Sequence, residues 1–95
     1  MKTEVLVEQT AADFIRRQAP ETRKRIRTAL HGIENGNSFP EPLEDELDGF
    51  YKLKVDSYRL ILQSEAGPRG PRFKVVFAEQ RKFVYEIFSQ LIGLE

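Results

Sequence analysis

The residues able to do chemistry in this chain are mostly cations, and several recur at the spacing of an extended strand. Lys52 and Lys54 alternate with Tyr51, Leu53 and Val55, Arg59 lies between Tyr58 and Leu60, and Lys74 lies between Phe73 and Val75. Successive side chains of a strand point to opposite faces. If the apolar set faces a core, Lys52, Lys54, Arg59 and Lys74 therefore share the solvent face. Adjacent like charges repel and cost stability, so a face of one sign suits an anionic partner. Arg81, Lys82 and Tyr85 follow directly. A tyrosine combines a ring that stacks on a base with a hydroxyl that handles a proton. The competing reading of the same lysines is plain edge protection of a sheet.

Other chemistries are excluded by what the sequence lacks. There is no cysteine and a single histidine, His31, so thiolate zinc sites, cysteine nucleophiles and histidine-based triads or metal centres cannot be built. No metal site is expected. His31, late in a helix, reads as a surface residue near the last carbonyls. The acidic run Glu44, Asp45, Glu46 and Asp48 reads as a solvated loop, and Phe73, Phe77 and Phe88 as core. No stretch reaches the roughly 20 apolar residues of a membrane span, and residues 1–9 lack the apolar run of a signal peptide. A cytoplasmic protein that does not enter a membrane is expected.

The 95 residues, 40% hydrophobic and 32% charged, make one domain, residues 1–95, with one core. Fifteen basic and fifteen acidic side chains cancel, yet residues 16–30 carry +5 and residues 31–49 carry −6. Local fields, not the total, govern what approaches a given face.

The elements that must position the cations follow from periodicity and punctuation. Residues 4–9 read as a short strand. Thr10 can cap a helix running to about Gln18 with Asp13 at its third position. Pro20 opens a second helix at N1, with Ile26, Leu30 and Ile33 on one stripe and an end near Asn35-Gly36. The two helices form an α-hairpin with a basic exterior that includes Arg23 and Arg27. Residues 36–49 read as a loop pinned by Leu43 and Leu47. A three-strand antiparallel meander follows, with a tight turn at Asp56-Ser57 and a longer Gly/Pro-rich connection over Ala66–Pro71. Its third strand is expected to put Phe73, Val75 and Phe77 on one side and Arg72, Lys74 and Val76 on the other. A short helix over Phe83–Leu91 closes near Gly93. The fold class is α+β, two helices packed on one face of a four-stranded sheet with the other face concave and basic.

In this order, Asp48-Gly49-Phe50-Tyr51-Lys52-Leu53-Lys54-Val55, Ser57-Tyr58-Arg59-Leu60-Ile61 and Gln80-Arg81-Lys82-Phe83-Val84-Tyr85 resemble the RelE/ParE superfamily of bacterial toxins from toxin–antitoxin modules. The resemblance covers nearly the whole chain. Gln80 and Phe83 depart from the pattern, standing where many relatives have His and a polar residue. RelE-like members are ribosome-dependent endoribonucleases that cleave messenger RNA, whereas ParE-like members share the fold and act on DNA gyrase.

The resemblance implies a RelE-like toxin in which Lys52, Lys54, Arg59, Arg81 and Tyr85 are catalytic, with Lys74, Lys82, Arg23 and Arg27 as RNA contacts. Attack of a 2′-OH on the adjacent phosphorus requires a base, stabilisation of the phosphorane oxygens and an acid for the leaving 5′ oxygen. It needs no cofactor. The lysines take base and electrostatic duties, Arg59 binds phosphate, Arg81 stabilises the transition state or acts as acid, and Tyr85 orients the nucleotide or transfers a proton. The implied partners are a cognate antitoxin, the ribosome and its message in the bacterial cytoplasm, with higher-order toxin–antitoxin complexes. The alternatives are a ParE-like gyrase inhibitor and a non-catalytic member that only binds its antitoxin.

Overall fold

The computed structural model describes residues 3–93. The chain runs through strand β1 (Glu4–Val7), helices α1 (Gln9–Arg16) and α2 (Pro20–Glu34), strand β2 (Glu41–Pro42), a single 3₁₀ turn (Asp45–Leu47), strands β3 (Phe50–Val55), β4 (Tyr58–Gly67) and β5 (Gly70–Gln80), and helix α3 (Val84–Leu91). One sheet holds all five strands in the order β1-β5-β4-β3-β2, with β1 parallel to β5 and the remaining pairs antiparallel. The α+β class and the α-hairpin are as expected.

Pro20 stands at N1 of α2, where its missing N–H and fixed φ favour a helix start. Gly36, with φ 79°, supplies the left-handed residue just beyond the helix end. Helix α1 starts differently from the expectation. Glu8 N donates to Val75 O at 2.9 Å, so the chain is still tied to β5 at Glu8, which keeps an extended backbone and precedes the first helical residue. Thr10 and Asp13 consequently lie inside the helix, and no side chain caps it. Asp13 instead accepts from Gln9 Nε2 at 2.8 Å and pairs with Arg16.

The expected four-stranded sheet has a fifth strand. Glu41 and Pro42 pair with Lys52 and Tyr51 along the outer edge of β3. Two residues are too few to show an alternating pattern, and a proline is tolerated because this is the sheet edge. The long connection expected over Ala66–Pro71 is also replaced. β4 and β5 stay paired out to Gly67 and Gly70, leaving only Pro68 and Arg69 between them. Glycine and proline there punctuate a long hairpin and do not form an open loop.

The ladder between β4 and β5 slips at Ile61/Leu62, which face Phe77 and Val75 respectively. Val76 is the extra residue of this bulge, and the alternation of β5 reverses past it. Val75 joins Leu53, Leu60 and Leu62 beneath α1 and α2, as does Ala78, while Phe77 lies on the opposite face with Ile61, Val84 and Phe88. The expectation that Phe73, Val75 and Phe77 share a side fails at this point. A second core results, roofed by α3 and flanked by Leu43, Leu47 and Phe50. The sheet face opposite the α-hairpin is therefore partly covered and not fully open.

Phe88 anchors this second core, with its ring 5.0 Å from Phe50 and 5.7 Å from Phe77. Phe88→Ala should lower the unfolding free energy by about 3–5 kcal/mol, measured by urea denaturation. A loss within experimental error would mean that α3 contributes nothing to the fold.

Candidate functional site

Strand pairing brings three of the five expected catalytic residues together. In β3, Lys52 and Lys54 point to the α3 side of the sheet, because Leu53 and Val55 fill the helix-side core. Lys54 stands directly opposite Arg59, and Arg59 opposite Glu79, so the three make one row across β3, β4 and β5. The next row is Lys52, Ile61 and Phe77, which places the cations at the margin of the second core.

Arg59 is the buried member, only 9% exposed. A guanidinium is removed from water only when its donors find acceptors. Its Nη1 donates to Asp56 O at 2.9 Å and to Tyr58 O at 2.7 Å. The first carbonyl belongs to the β3–β4 connection, whose two residues are Asp56 and Ser57, and the second to Tyr58, which opens β4; Asp56 has φ 55°, in the left-handed region that hairpin turns use. The same connection fixes Arg81, whose backbone N–H donates to Ser57 O at 2.7 Å. The Arg81 side chain is exposed at this end of the sheet. Tyr85, half-buried, is the second residue of α3 and packs on the core that contains Ile61 and Phe77.

The acidic side chains overturn the expectation of a face with one sign. Glu41 Oε1 lies 3.5 Å from Lys54 Nζ and 4.0 Å from Lys52 Nζ. Lys74 Nζ pairs with Glu8 at 3.5 Å and Glu65 at 3.6 Å. It sits beside Gln63, four residues along β4 from Arg59, about 13 Å at the rise of a strand. Lys74 thus stands apart from the Lys52, Lys54 and Arg59 group. Lys82 is exposed beside Phe83, its Nζ 6.0 Å from the ring centroid. Arg23 and Arg27 border a groove of about 280 Å³ against Val7, Ile15, Ile26 and Leu30, on the helix side of the sheet and away from the lysines. Arg23 also donates to Gln18 O at 3.1 Å. His31 is exposed on α2. Among the described residues no group of His, Cys, Asp and Glu could hold a metal ion.

No protein-family model matches the sequence, and no curated protein does so. Solved structures do match. A chain of the RelBE2 toxin–antitoxin complex from Mycobacterium tuberculosis aligns with a TM-score of 0.70 over 85% of this chain and the whole of that one, at 17% identity. The YoeB/ParE toxin from Agrobacterium tumefaciens gives 0.62 over 82% of this chain and 98% of its own, at 15% identity. A chain of the RelB–RelE antitoxin–toxin complex from Methanococcus jannaschii gives 0.58 over 87% and 98%, at 20% identity. The fold is RelE-like.

Within this RelE-like fold, sequence reasoning missed two side chains, Glu41 and Glu79. Glu79 follows Phe77 by two residues on the same strand and so shares its face, which becomes apparent only once the bulge at Val76 is known. Glu41 had a local signal, since it lies between Pro40 and Pro42 and a residue before proline is held extended. Nothing local revealed that its carboxylate reaches both lysines.

Removing that carboxylate should expose the lysines to other anions. We expect Glu41→Gln to bind tripolyphosphate about tenfold more tightly than the parent at low salt, with the difference shrinking as salt rises. Isothermal titration calorimetry measures this, and equal affinities would show that Glu41 does not compete for Lys52 and Lys54.

Proposed function

We propose that this chain is the toxin of a toxin–antitoxin pair and acts as a ribosome-dependent endoribonuclease on messenger RNA. The observation that carries the reading is the placement of Lys52, Lys54 and Arg59 on one sheet face, at the end where Arg81 emerges and on the side of the second core, against which Tyr85 packs. The fold shared with toxins supports it.

The chemistry suits these groups. A 2′-oxygen must lose its proton as it attacks phosphorus, the phosphorane oxygens carry the developing charge, and the departing 5′-oxygen must gain a proton. Lys52 and Lys54 supply charge at the non-bridging oxygens. Glu41, 3.5 Å from Lys54, accepts the 2′ proton, because a carboxylate is ready to take one whereas an ammonium must first release its own. Arg59, already oriented by two carbonyls, binds the scissile phosphate. Arg81, exposed and free to reach outward, stabilises the transition state or protonates the leaving oxygen. Tyr85 orients the nucleotide by stacking or passes a proton. Lys74, Lys82, Arg23 and Arg27 make secondary contacts to RNA. No step requires a cofactor.

Two of the similar structures are toxin–antitoxin complexes, which supports an antitoxin as the partner here, alone or in a larger assembly. Ribosome and message are the remaining partners, which places the activity in the bacterial cytoplasm. One observation favours a second reading. Glu41 neutralises both lysines and Arg59 is engaged by backbone, as suits a member that binds an antitoxin or gyrase without cutting RNA.

A cell-free translation reaction with a defined message, its new 5′ ends mapped by primer extension, separates the two. Cuts within translated codons are expected from the parent protein. Arg81→Ala, Tyr85→Ala and Glu41→Gln should each lower the cleavage rate about 100-fold or more, with thermal midpoints unchanged for Arg81→Ala and Glu41→Gln. An intact message together with blocked gyrase supercoiling would establish the second reading.

A further inference from the structure

Two distant parts of the chain and the adjoining Arg59 converge on the two-residue connection between β3 and β4. Arg25 Nη1, from α2, donates to Asp56 Oδ2 at 2.8 Å. Arg59 Nη1 donates to the Asp56 carbonyl at 2.9 Å. The Arg81 amide donates to the Ser57 carbonyl at 2.7 Å. One side of this turn thus holds both site arginines, and the other side is held by a residue 31 positions earlier.

The turn needs such an anchor. Asp56 sits at φ 55°, a conformation that few residues with side chains adopt and that only surrounding contacts maintain. Beyond the ladder pair Val55↔Tyr58, the turn's hydrogen bonds to Arg59 and Arg81 are the very contacts whose direction it must set. Arg25 supplies an external reference. It is the neighbour of Ile26, which is 1% exposed in the first core, so its backbone belongs to the rigid helix layer. The Asp56 hydrogen bond, then the attraction of Asp56 and of Glu21 at 3.7 Å, raise the Arg25 guanidinium above its ordinary pKa. Both side chains remain more than half exposed. An exposed ion pair contributes little to stability, so its role lies in geometry.

We propose that Arg25 and Asp56 are positioning residues: their ion pair fixes the Asp56-Ser57 turn and, through its two carbonyls, aims the Arg59 guanidinium and the chain at Arg81. This rests on the endoribonuclease reading of the site for its consequence in catalysis. Arg25 itself lies on the helix side of the sheet and takes no part in the chemistry. A small misplacement of a charged group in a site is costly in rate.

The test combines kinetics with a readout on the free protein. In the ribosome-dependent cleavage assay, Arg25→Ala should lower kcat roughly tenfold with KM within about twofold of the parent. Arg25→Lys should recover most of the rate. Asp56→Asn, which keeps a residue at home in the left-handed region but removes the charge, should lose about threefold. The double variant Arg25→Ala/Asp56→Asn should be no worse than Arg25→Ala alone, because both changes act on one interaction. In the free protein, hydrogen exchange of the Arg81 amide should quicken, and the Arg59 Nε–H resonance should shift, in Arg25→Ala and less so in Asp56→Asn. Unchanged Arg81 exchange and Arg59 resonance would overturn the positioning role. So would a rate loss expressed in KM alone, the signature of a direct RNA contact by Arg25. Should the parent protein cut no message, the endoribonuclease reading fails by itself and the exchange and resonance measurements still decide whether Arg25 sets the turn.

Discussion

Arg59, Leu60, Ile61 and Leu62, consecutive in β4, are all buried, and the three aliphatic residues have no exposed surface. A strand buried on both faces must satisfy two cores at once. Leu60 and Leu62 enter the core beneath the α-hairpin, while Ile61 enters the one beneath α3. Shifting β4 by one residue would drive Ile61 and the Arg59 guanidinium into the helix-side core and expel the two leucines. The packing that holds the sheet together thereby fixes which face Arg59 occupies. The candidate site inherits its register from the core, with Lys54 placed against Arg59 by the pairing that sets Leu53 against Leu60.

How much of this was legible in the sequence depended on how local the cause was. The period of two through Tyr51–Val55 and Tyr58–Gln63 identified β3 and β4 and the faces of Lys52, Lys54 and Arg59, because alternation is written into neighbouring residues. Pro20 and Gly36 marked the ends of α2 for equally local reasons. The bulge at Val76 was invisible, since an extra residue in β5 is defined only against β4, and it moved Phe77 to the other core. The first turn of α1 was set by a bond from Glu8 to Val75, 67 residues away in sequence, which outweighed a good capping residue at Thr10. The pairing of Glu41 with β3 likewise depends on an edge that only the folded sheet provides.

The zero net charge is also a spatial fact. Counted by segment, the chain looks like a basic block followed by an acidic one, yet folding distributes the acids among the cations. Glu41 reaches the lysines of β3, Glu65 bridges Arg72 and Lys74, and Asp56 joins Arg25 of α2. Each of these pairs is partly solvated and contributes little to stability. Their larger effect is on the field, which is muted over the sheet. Among the described residues Arg81 and Lys82, exposed where β5 ends, form no ion pair.

The site therefore combines two kinds of cation. Lys54 and Arg81 are exposed, and in the proposed function they would have to lose rotamer freedom and water to act on one oxygen of a polyanion. Arg59 has already met that cost during folding. Its Nη1 serves the carbonyls of Asp56 and Tyr58, while Nε and Nη2 have no hydrogen-bonded partner among the described residues and retain their donors. For the proposed endoribonuclease, a guanidinium held this way would need no reorganisation as charge develops on a phosphate. A buried arginine with its anchor in backbone is more demanding to build than a surface lysine. The fold meets that demand with a turn strained into the left-handed region and tied to α2, at the one end of the sheet where β5 delivers Arg81.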